Sequence, residues 1–335
     1  MINPIYDCVI NKKTTKKPIW FMRQAGRYLP EFRKIRKLNP NFINLCLNKN
    51  LSAEITLQPL KRFDLSAAII FSDILMIPYG LNQEVKFKKN FGPELGNISL
   101  DNLLNIKKEE FITKLKPIYN CIKKVKSNKI MKNKDLIGFV GAPWTLLVYM
   151  INKKSPKNKI SNNFFDNKNL INGILNKLEE FLKIHIENQI NNGADVIQIF
   201  DSWAGLIDKK DLANYAYLPT LNLVNFIKSK NVPVICFPKG IKNYKEYSEF
   251  VKPDAISIDY KVDPYKIKKE IKIPVQGGLN PNVLLSDKET IKKEALNYLN
   301  IFKDHPYIFN LGHGVLPETD PMMIDYLVKL IKNHE

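Results

Sequence analysis

Arg23 and Arg27 flank a glycine in the segment Arg23-Gln24-Ala25-Gly26-Arg27. Each planar guanidinium can hold a carboxylate by two parallel hydrogen bonds, and Gly26 removes bulk between them, so the pair suits a ligand with more than one carboxylate. The competing reading is an internal ion pair with Glu31 or Asp73. Asp73 follows the apolar run Ala67–Phe71, which leaves its carboxylate partly desolvated where the run ends. A carboxylate there can accept hydrogen bonds from N–H groups and stabilise a developing cation. Its alternative is an N-cap for the next helix, but Ile74-Leu75-Met76-Ile77-Pro78 reaches its proline too early for an ordinary helix. His313 lies between two glycines, which allow a ligand or backbone to come close; a packed core histidine is the bland reading. Ser202 has no base beside it in sequence, so it reads as a hydrogen-bonding group rather than a nucleophile. Tyr149 reads either as a phenol over the site or as ordinary core.

Something must bring these scattered residues together. Eight short runs, mostly apolar and bounded by turn or polar residues, read as strands buried on both faces. They are Ile19–Met22, Ala67–Phe71, Leu136–Val140, Val196–Phe200, Val234–Phe237, Ala255–Ile258, Pro274–Gln276 and Ile308–Leu311. Helical spacing marks Ile171–Asn191, Leu212–Lys228 and Asp320–Lys332, and Tyr149 falls in a helix opened by Ala142-Pro143-Trp144-Thr145. Strands alternating with helices imply a parallel sheet, and eight strands close a TIM barrel. The expected fold is therefore α/β, a single (β/α)8 TIM barrel over residues 1–335. An open doubly wound sheet is less favoured, because no G-x-G-x-x-G follows the first strand. In a barrel the active site forms at the C-terminal strand ends. Those ends carry Arg23 to Arg27, Ser72-Asp73, Gly141 to Trp144, Asp201-Ser202-Trp203, Pro238-Lys239-Gly240, Asp259-Tyr260, Gly277-Gly278 and Gly312-His313-Gly314. The lysine- and asparagine-rich stretches Lys86–Asn90 and Lys153–Asn169 read as surface excursions.

Composition narrows the function classes. The 335 residues carry a formal charge of +19, but the lysines are spread along the chain beside Asn and Ile, as on a solvated surface. No nucleic-acid-binding motif accompanies them. No apolar run reaches the roughly 20 residues that span a bilayer, and the N-terminus shows no secretion signal, so a cytoplasmic protein without a membrane or nucleic-acid partner is expected. Cys8, Cys46, Cys121 and Cys236 are scattered and read as reduced, buried thiols. A metal is not expected, since neither His185, His305 and His334 nor any cysteine stands at ligand spacing to His313.

The segment Pro18-Ile-Trp-Phe-Met-Arg-Gln-Ala-Gly-Arg-Tyr-Leu-Pro30 resembles the N-terminal signature of the uroporphyrinogen decarboxylases. Phe71-Ser-Asp-Ile-Leu75, Gly141-Ala-Pro-Trp-Thr145, Ile199-Phe-Asp-Ser-Trp203 and Asn310-Leu-Gly-His-Gly314 match further blocks of that family in the right order. The resemblance implies a TIM-barrel homodimer of haem biosynthesis that uses no metal or organic cofactor. It would convert the four acetate side chains of uroporphyrinogen III to methyls, giving coproporphyrinogen III. Carried over by position, Arg23, Gln24, Ala25, Gly26 and Arg27 bind the tetrapyrrole substrate; on the chemistry, Arg23 and Arg27 would hold carboxylates and help to deliver the proton, with the general acid left open. Asp73 stabilises the transition state beneath the pyrrole N–H groups, and Tyr149, Ser202 and His313 complete the binding set. The chain departs from the family pattern at Gly277-Gly278-Leu279-Asn280-Pro281, where Gly-Asn-Leu-Asp-Pro is common, and at Tyr260, where Trp is common. A related cobalamin-linked methyltransferase would hold zinc by a His-x-Cys and a later Cys; here Gly314 and Val315 follow His313, and no cysteine lies in the last quarter.

Overall fold

The computed structural model describes residues 3–88, 92–156, 160 and 165–334. Among the described residues, nine strands run in chain order: β1 (Ala67–Ile69), β2 (Val85–Lys88), β3 (Gly92–Leu95), β4 (Asp135–Gly141), β5 (Val196–Asp201), β6 (Val234–Pro238), β7 (Ala255–Ile258), β8 (Val275–Gly277) and β9 (Tyr307–Ile308). Seven of them form one curled parallel sheet in the order β1-β4-β5-β6-β7-β8-β9. Each of the seven overlaps one of the expected runs, although β9 meets the run Ile308–Leu311 only at Ile308. Their residues are almost entirely buried, as the near-continuous apolar composition requires of strands covered on both faces.

The expected strand over Ile19–Met22 reduces to a single bridged residue. Ile19 pairs in parallel with Phe309. The reason for the shortening is local: Gln24 N–H bonds back to Phe21 O at 2.9 Å, and Arg23 takes a φ of +61°, so the chain turns away at once. The segment 18–20 is nonetheless bonded to both edges of the sheet. On the β9 side, Phe309 N–H donates to Pro18 O at 2.8 Å; on the β1 side, Ser66 N–H donates to Ile19 O at 2.8 Å and Ile19 N–H to Ser66 Oγ at 2.9 Å.

Two layers of side chains meet at the sheet. Most apolar residues join the large cluster that includes the outer helices. A second cluster gathers Trp20, Ala67, Ile137, Val196, Ile235, Ala255 and Ile308 from the strands around Ile5, Cys8 and Val9. The last three belong to a short N-terminal helix, Pro4–Val9, that caps this inner cluster. Nothing in the sequence pattern marked that helix, which at six residues is too short to show a period. Asp135 Oδ2 accepts its Ile5 N–H at 2.7 Å. Above the apolar layer lies a buried polar one, in which Trp20 Nε1 donates to Gln276 Oε1 (2.9 Å) and Gln276 Nε2 to Gln198 Oε1 (3.1 Å) and Ser257 Oγ (3.2 Å).

The helices follow their caps. Lys168–Asn191 starts where Asn167 accepts the Leu170 N–H, and Pro321–Lys332 where Asp320 accepts that of Met322. The helix expected over Leu212–Lys228 is irregular: a π turn at Ala213–Tyr217 precedes Leu218–Ser229, because Pro219 has no N–H to continue regular bonding. Tyr149 lies in the helix Pro143–Asn152, as expected. Of the stretch Lys86–Asn90, residues 86–88 belong to the antiparallel hairpin of β2 and β3 and 89–90 lie outside the described residues. Residues 157–159 and 161–164 of the second lysine-rich stretch also lie outside them.

Candidate active site

Arg23 to Arg27 lies where the chain leaves the bridge at Ile19. It is a series of tight turns ahead of the helix Pro30–Leu38. A Cβ on Gly26 would stand 2.7 Å from Arg23 O, so the turn itself requires glycine. Gln24 is fully buried and holds the turn from inside: its Oε1 accepts Phe21 N–H at 3.0 Å, and its Nε2 donates to Ala67 O at 3.0 Å. With both ends of its amide on backbone, Gln24 acts by shaping the loop. Ala25 packs against the core, while the side chains of Arg23 and Arg27 are exposed. Neither arginine has an ion-pair partner among the described residues. Glu31, the expected alternative partner, instead pairs with Arg62 at 2.5 Å.

A second tie crosses the chain's whole length. Asn310, fully buried, accepts Met22 N–H at 3.0 Å and Leu311 N–H at 2.7 Å through Oδ1. Val315 N–H then donates to Met22 O at 2.9 Å. These bonds set Arg23 beside His313 and Gly314. Asn310 was visible only as a member of the family block; its structural duty has no sequence signature.

Asp73 sits two residues beyond Phe71, whose N–H is held by Thr56 Oγ1 at 2.9 Å. One oxygen of Asp73 accepts Leu75 N–H at 2.8 Å, and the other has no hydrogen bond among the described residues. The helix-capping alternative is not realised: this bond closes a turn over Asp73–Leu75, and the N-cap of the helix that follows is Leu75, without a side-chain cap. A single helical turn, Met76–Gly80, does follow, and it tolerates Pro78 because the missing N–H falls where no intrahelical partner exists. Burial pushes the Asp73 carboxyl up to about 6, against the opposing effects of the Leu75 N–H and the Arg23 charge. Tyr149 is buried, its ring edge-to-face with Trp203 at 5.8 Å, and its hydroxyl accepts from Ser155 Oγ at 3.3 Å. Burial raises its phenol, and the charges of Asp73 and Arg23 both reach it. Ser202, half-buried, follows β5; Thr145 orders its surroundings by donating to Asp201 Oδ1 at 2.6 Å and accepting Trp203 N–H at 3.2 Å.

His313 is half-buried beyond β9. Burial lowers its imidazole to about 4, with Lys239 and Arg23 acting the same way and Asp259 opposing. It is therefore neutral at pH 7 and can both donate and accept a hydrogen bond. Arg23, Asp73, Tyr149 and His313 form one electrostatically coupled group, with Ser202 beside the Trp203 that packs on Tyr149. Arg27 is not among the charges that reach this group: its carbonyl accepts Arg33 Nη1 at 2.8 Å, and its side chain reaches solvent. Lys239, at the end of β6, joins the group although sequence reading placed it only at a strand end.

Two of the departures from the family pattern have local explanations, while that at Tyr260 has none. Gly278 takes a φ of +111°, and a Cβ there would meet Tyr298 Cε1 at 2.6 Å, so the Tyr298 ring fills the space a side chain would need. Asn280 Oδ1 accepts Asn282 N–H at 3.0 Å, the same capping that an aspartate would give.

The sequence of this chain matches the family model described as Uroporphyrinogen decarboxylase (URO-D) over residues 3–334. It is 40% identical to the uroporphyrinogen decarboxylase of Rickettsia felis, with 100% of this chain and 97% of that protein covered. The corresponding figures for the uroporphyrinogen decarboxylase of Orientia tsutsugamushi are 42%, 95% and 94%. Among solved structures, a methyltransferase from Methanosarcina mazei superposes with a TM-score of 0.78 at 16% identity, covering 98% of this chain and 97% of that one. At that identity the likeness concerns the fold alone.

Proposed function

The chain belongs to the uroporphyrinogen decarboxylase family, and from that premise we propose how its site works. It is a carboxy-lyase that removes the four acetate carboxyl groups of uroporphyrinogen III as CO2, giving coproporphyrinogen III in porphyrin (haem) biosynthesis. The observation that carries the reading is that Asp73, a desolvated carboxylate with one unbonded oxygen, feels the charge of Arg23, a cation without an ion-pair partner among the described residues.

Loss of CO2 from a pyrrole acetate needs an electron sink. A proton added to a ring carbon makes the pyrrole a cation. The electron pair of the breaking C–C bond flows into that ring, and CO2 departs. A proton then adds to the exocyclic methylene to give the methyl, and the ring proton is released. One proton is consumed for each CO2. The free oxygen of Asp73 accepts hydrogen bonds from the pyrrole N–H groups and stabilises the ring cation. Arg23 and Arg27 hold carboxylates, and Arg27, exposed at the rim, helps to bring in the proton. Gln24, Ala25 and Gly26 shape their loop. Tyr149, Ser202 and the neutral His313 supply hydrogen bonds around the macrocycle. No metal or organic cofactor is required, because the protonated pyrrole is itself the sink.

The same reading makes residues 18–20 the eighth staves of a closed (β/α)8 TIM barrel forming a single domain over 1–335. Its support is the bonding of this segment to both β1 and β9. It also makes the enzyme a cytoplasmic homodimer. Four buried, unpaired thiols suit a reducing compartment, and no helix among the described residues is long and apolar enough to cross a membrane. The test is to incubate the purified protein, treated with a chelator, with uroporphyrinogen under reducing conditions and count carboxyls in the products. Hepta- to tetracarboxylate species are expected; the absence of any such product overturns the reading.

A further inference from the structure

Lys239 follows β6 directly, and its backbone is fixed there: its N–H donates to Asp201 O at 3.0 Å and Phe237 O at 3.1 Å, and its carbonyl accepts Gly205 N–H at 3.0 Å. Its side chain is half-buried, yet it has no hydrogen bond or ion pair among the described residues. Several other sheltered lysines among the described residues do find partners. Lys17 donates to Lys303 O at 2.9 Å and His305 O at 3.0 Å, and Lys126 pairs with Asp195 at 2.6 Å. Asp259, the acid nearest in effect to Lys239, is already engaged by backbone. Its Oδ2 accepts Gly240 N–H at 2.9 Å, and its Oδ1 accepts Lys261 N–H at 2.8 Å. The groups that Lys239 otherwise faces are Arg23, Lys261 and His313: two cations and a neutral imidazole. Burial lowers its ammonium, and Arg23 and Lys261 press it the same way. A partly desolvated cation that faces other cations is costly unless an anion arrives.

We propose that Lys239 is a third carboxylate-binding cation of the site and, with Arg23 across the mouth of the sheet, holds one carboxylate of the tetrapyrrole. The inference rests on the decarboxylase reading above and adds a binding residue to it. The carboxylate is either a propionate, which persists through all four turnovers, or an acetate, which is lost.

The test compares wild type, Lys239→Met, Lys239→Gln and Lys239→Arg in steady-state assays with uroporphyrinogen and with its pentacarboxylate intermediate. Both neutral variants are expected to raise KM about tenfold or more while kcat changes by less than about threefold, and Lys239→Arg to recover most of the loss. An effect confined to uroporphyrinogen identifies an acetate already lost from the pentacarboxylate; an equal KM effect on the two substrates identifies a carboxylate that both carry, a propionate or the acetate under reaction. An unchanged KM in the neutral variants overturns the proposal, as does a loss that Lys239→Arg fails to reverse and that tracks a lowered melting temperature. A wild-type protein without activity sinks the decarboxylase reading and this inference together, whereas an active wild type with insensitive Lys239 variants sinks this inference alone.

Discussion

The side chain of Arg23 lies against the backbone of Gly314: a Cβ on that glycine would come within 2.4 Å of Arg23 Cδ and 2.7 Å of Cγ. The contact joins the first and last strand-end segments, and the Asn310 and Val315 bonds to Met22 hold it in place. Gly314→Ala should therefore displace the guanidinium rather than unfold the chain, since the Arg23 side chain is exposed. The loss of one charge-assisted carboxylate contact, about 1.5–3 kcal/mol, corresponds to roughly a 10- to 100-fold fall in kcat/KM. Kinetics and a urea melt read together check this. An unchanged kcat/KM, or a fall explained by unfolding, would show that the contact does not position Arg23.

The acid limb of the pH–rate profile should report Asp73. Its carboxyl is held at about 6, well above its ordinary value of 3.8, and only the ionised form can stabilise a ring cation. Activity of the free enzyme, read as kcat/KM, should thus rise as pH increases through about 6. His313, lowered to about 4, contributes no limb there. Arg23 opposes the upward shift of Asp73, so Arg23→Gln should move the limb to higher pH. A profile that stays flat from pH 5 to 8 in wild type would remove Asp73 from this role.

Stability should carry the signature of a different carboxylate. Asp135 is fully buried, accepts Ile5 N–H through one oxygen and has no hydrogen bond to the other among the described residues. Burial pushes it up to about 7; the Ile5 and Tyr6 N–H groups and Lys126 oppose the shift, and Asp195 adds to it. Between pH 4 and 7 the folded chain keeps a proton that the unfolded chain has released. Its contribution to stability is therefore full below about 4, falls as pH rises, and levels off above about 7, with a slope of up to roughly 1.4 kcal/mol per pH unit. Asp135→Asn keeps an oxygen for the Ile5 N–H and removes the charge. Urea melts should show the variant gaining on wild type from pH 4 to 7. A difference independent of pH would mean that Asp135 does not titrate in this range.

Much of this arrangement could be read from residues alone, for a physical reason. Strands buried on both faces must be apolar, so Val234–Phe237 or Ala255–Ile258 stand out, and polar residues just beyond such runs, as Asp73 and His313 are, point to the candidate site. What escaped was what depends on three-dimensional bookkeeping of bonds. Pro4–Val9 is too short to show periodicity. The bend at Arg23 uses a positive φ that a non-glycine residue does not advertise. Gln24 looked like part of the ligand contact, yet both ends of its amide hold backbone. Lys239 became notable only once Asp259 was found committed to Gly240 and Lys261.

The most direct test of the central claim is Asp73→Asn, with binding and turnover measured separately. Asparagine keeps an oxygen for the Leu75 N–H, so the loop should hold its shape, and affinity for the coproporphyrinogen product should stay within a few-fold of wild type. The charge that stabilises the ring cation is gone, and kcat for uroporphyrinogen should fall by at least about 100-fold. A variant that binds and turns over at near-wild-type rate would contradict the account.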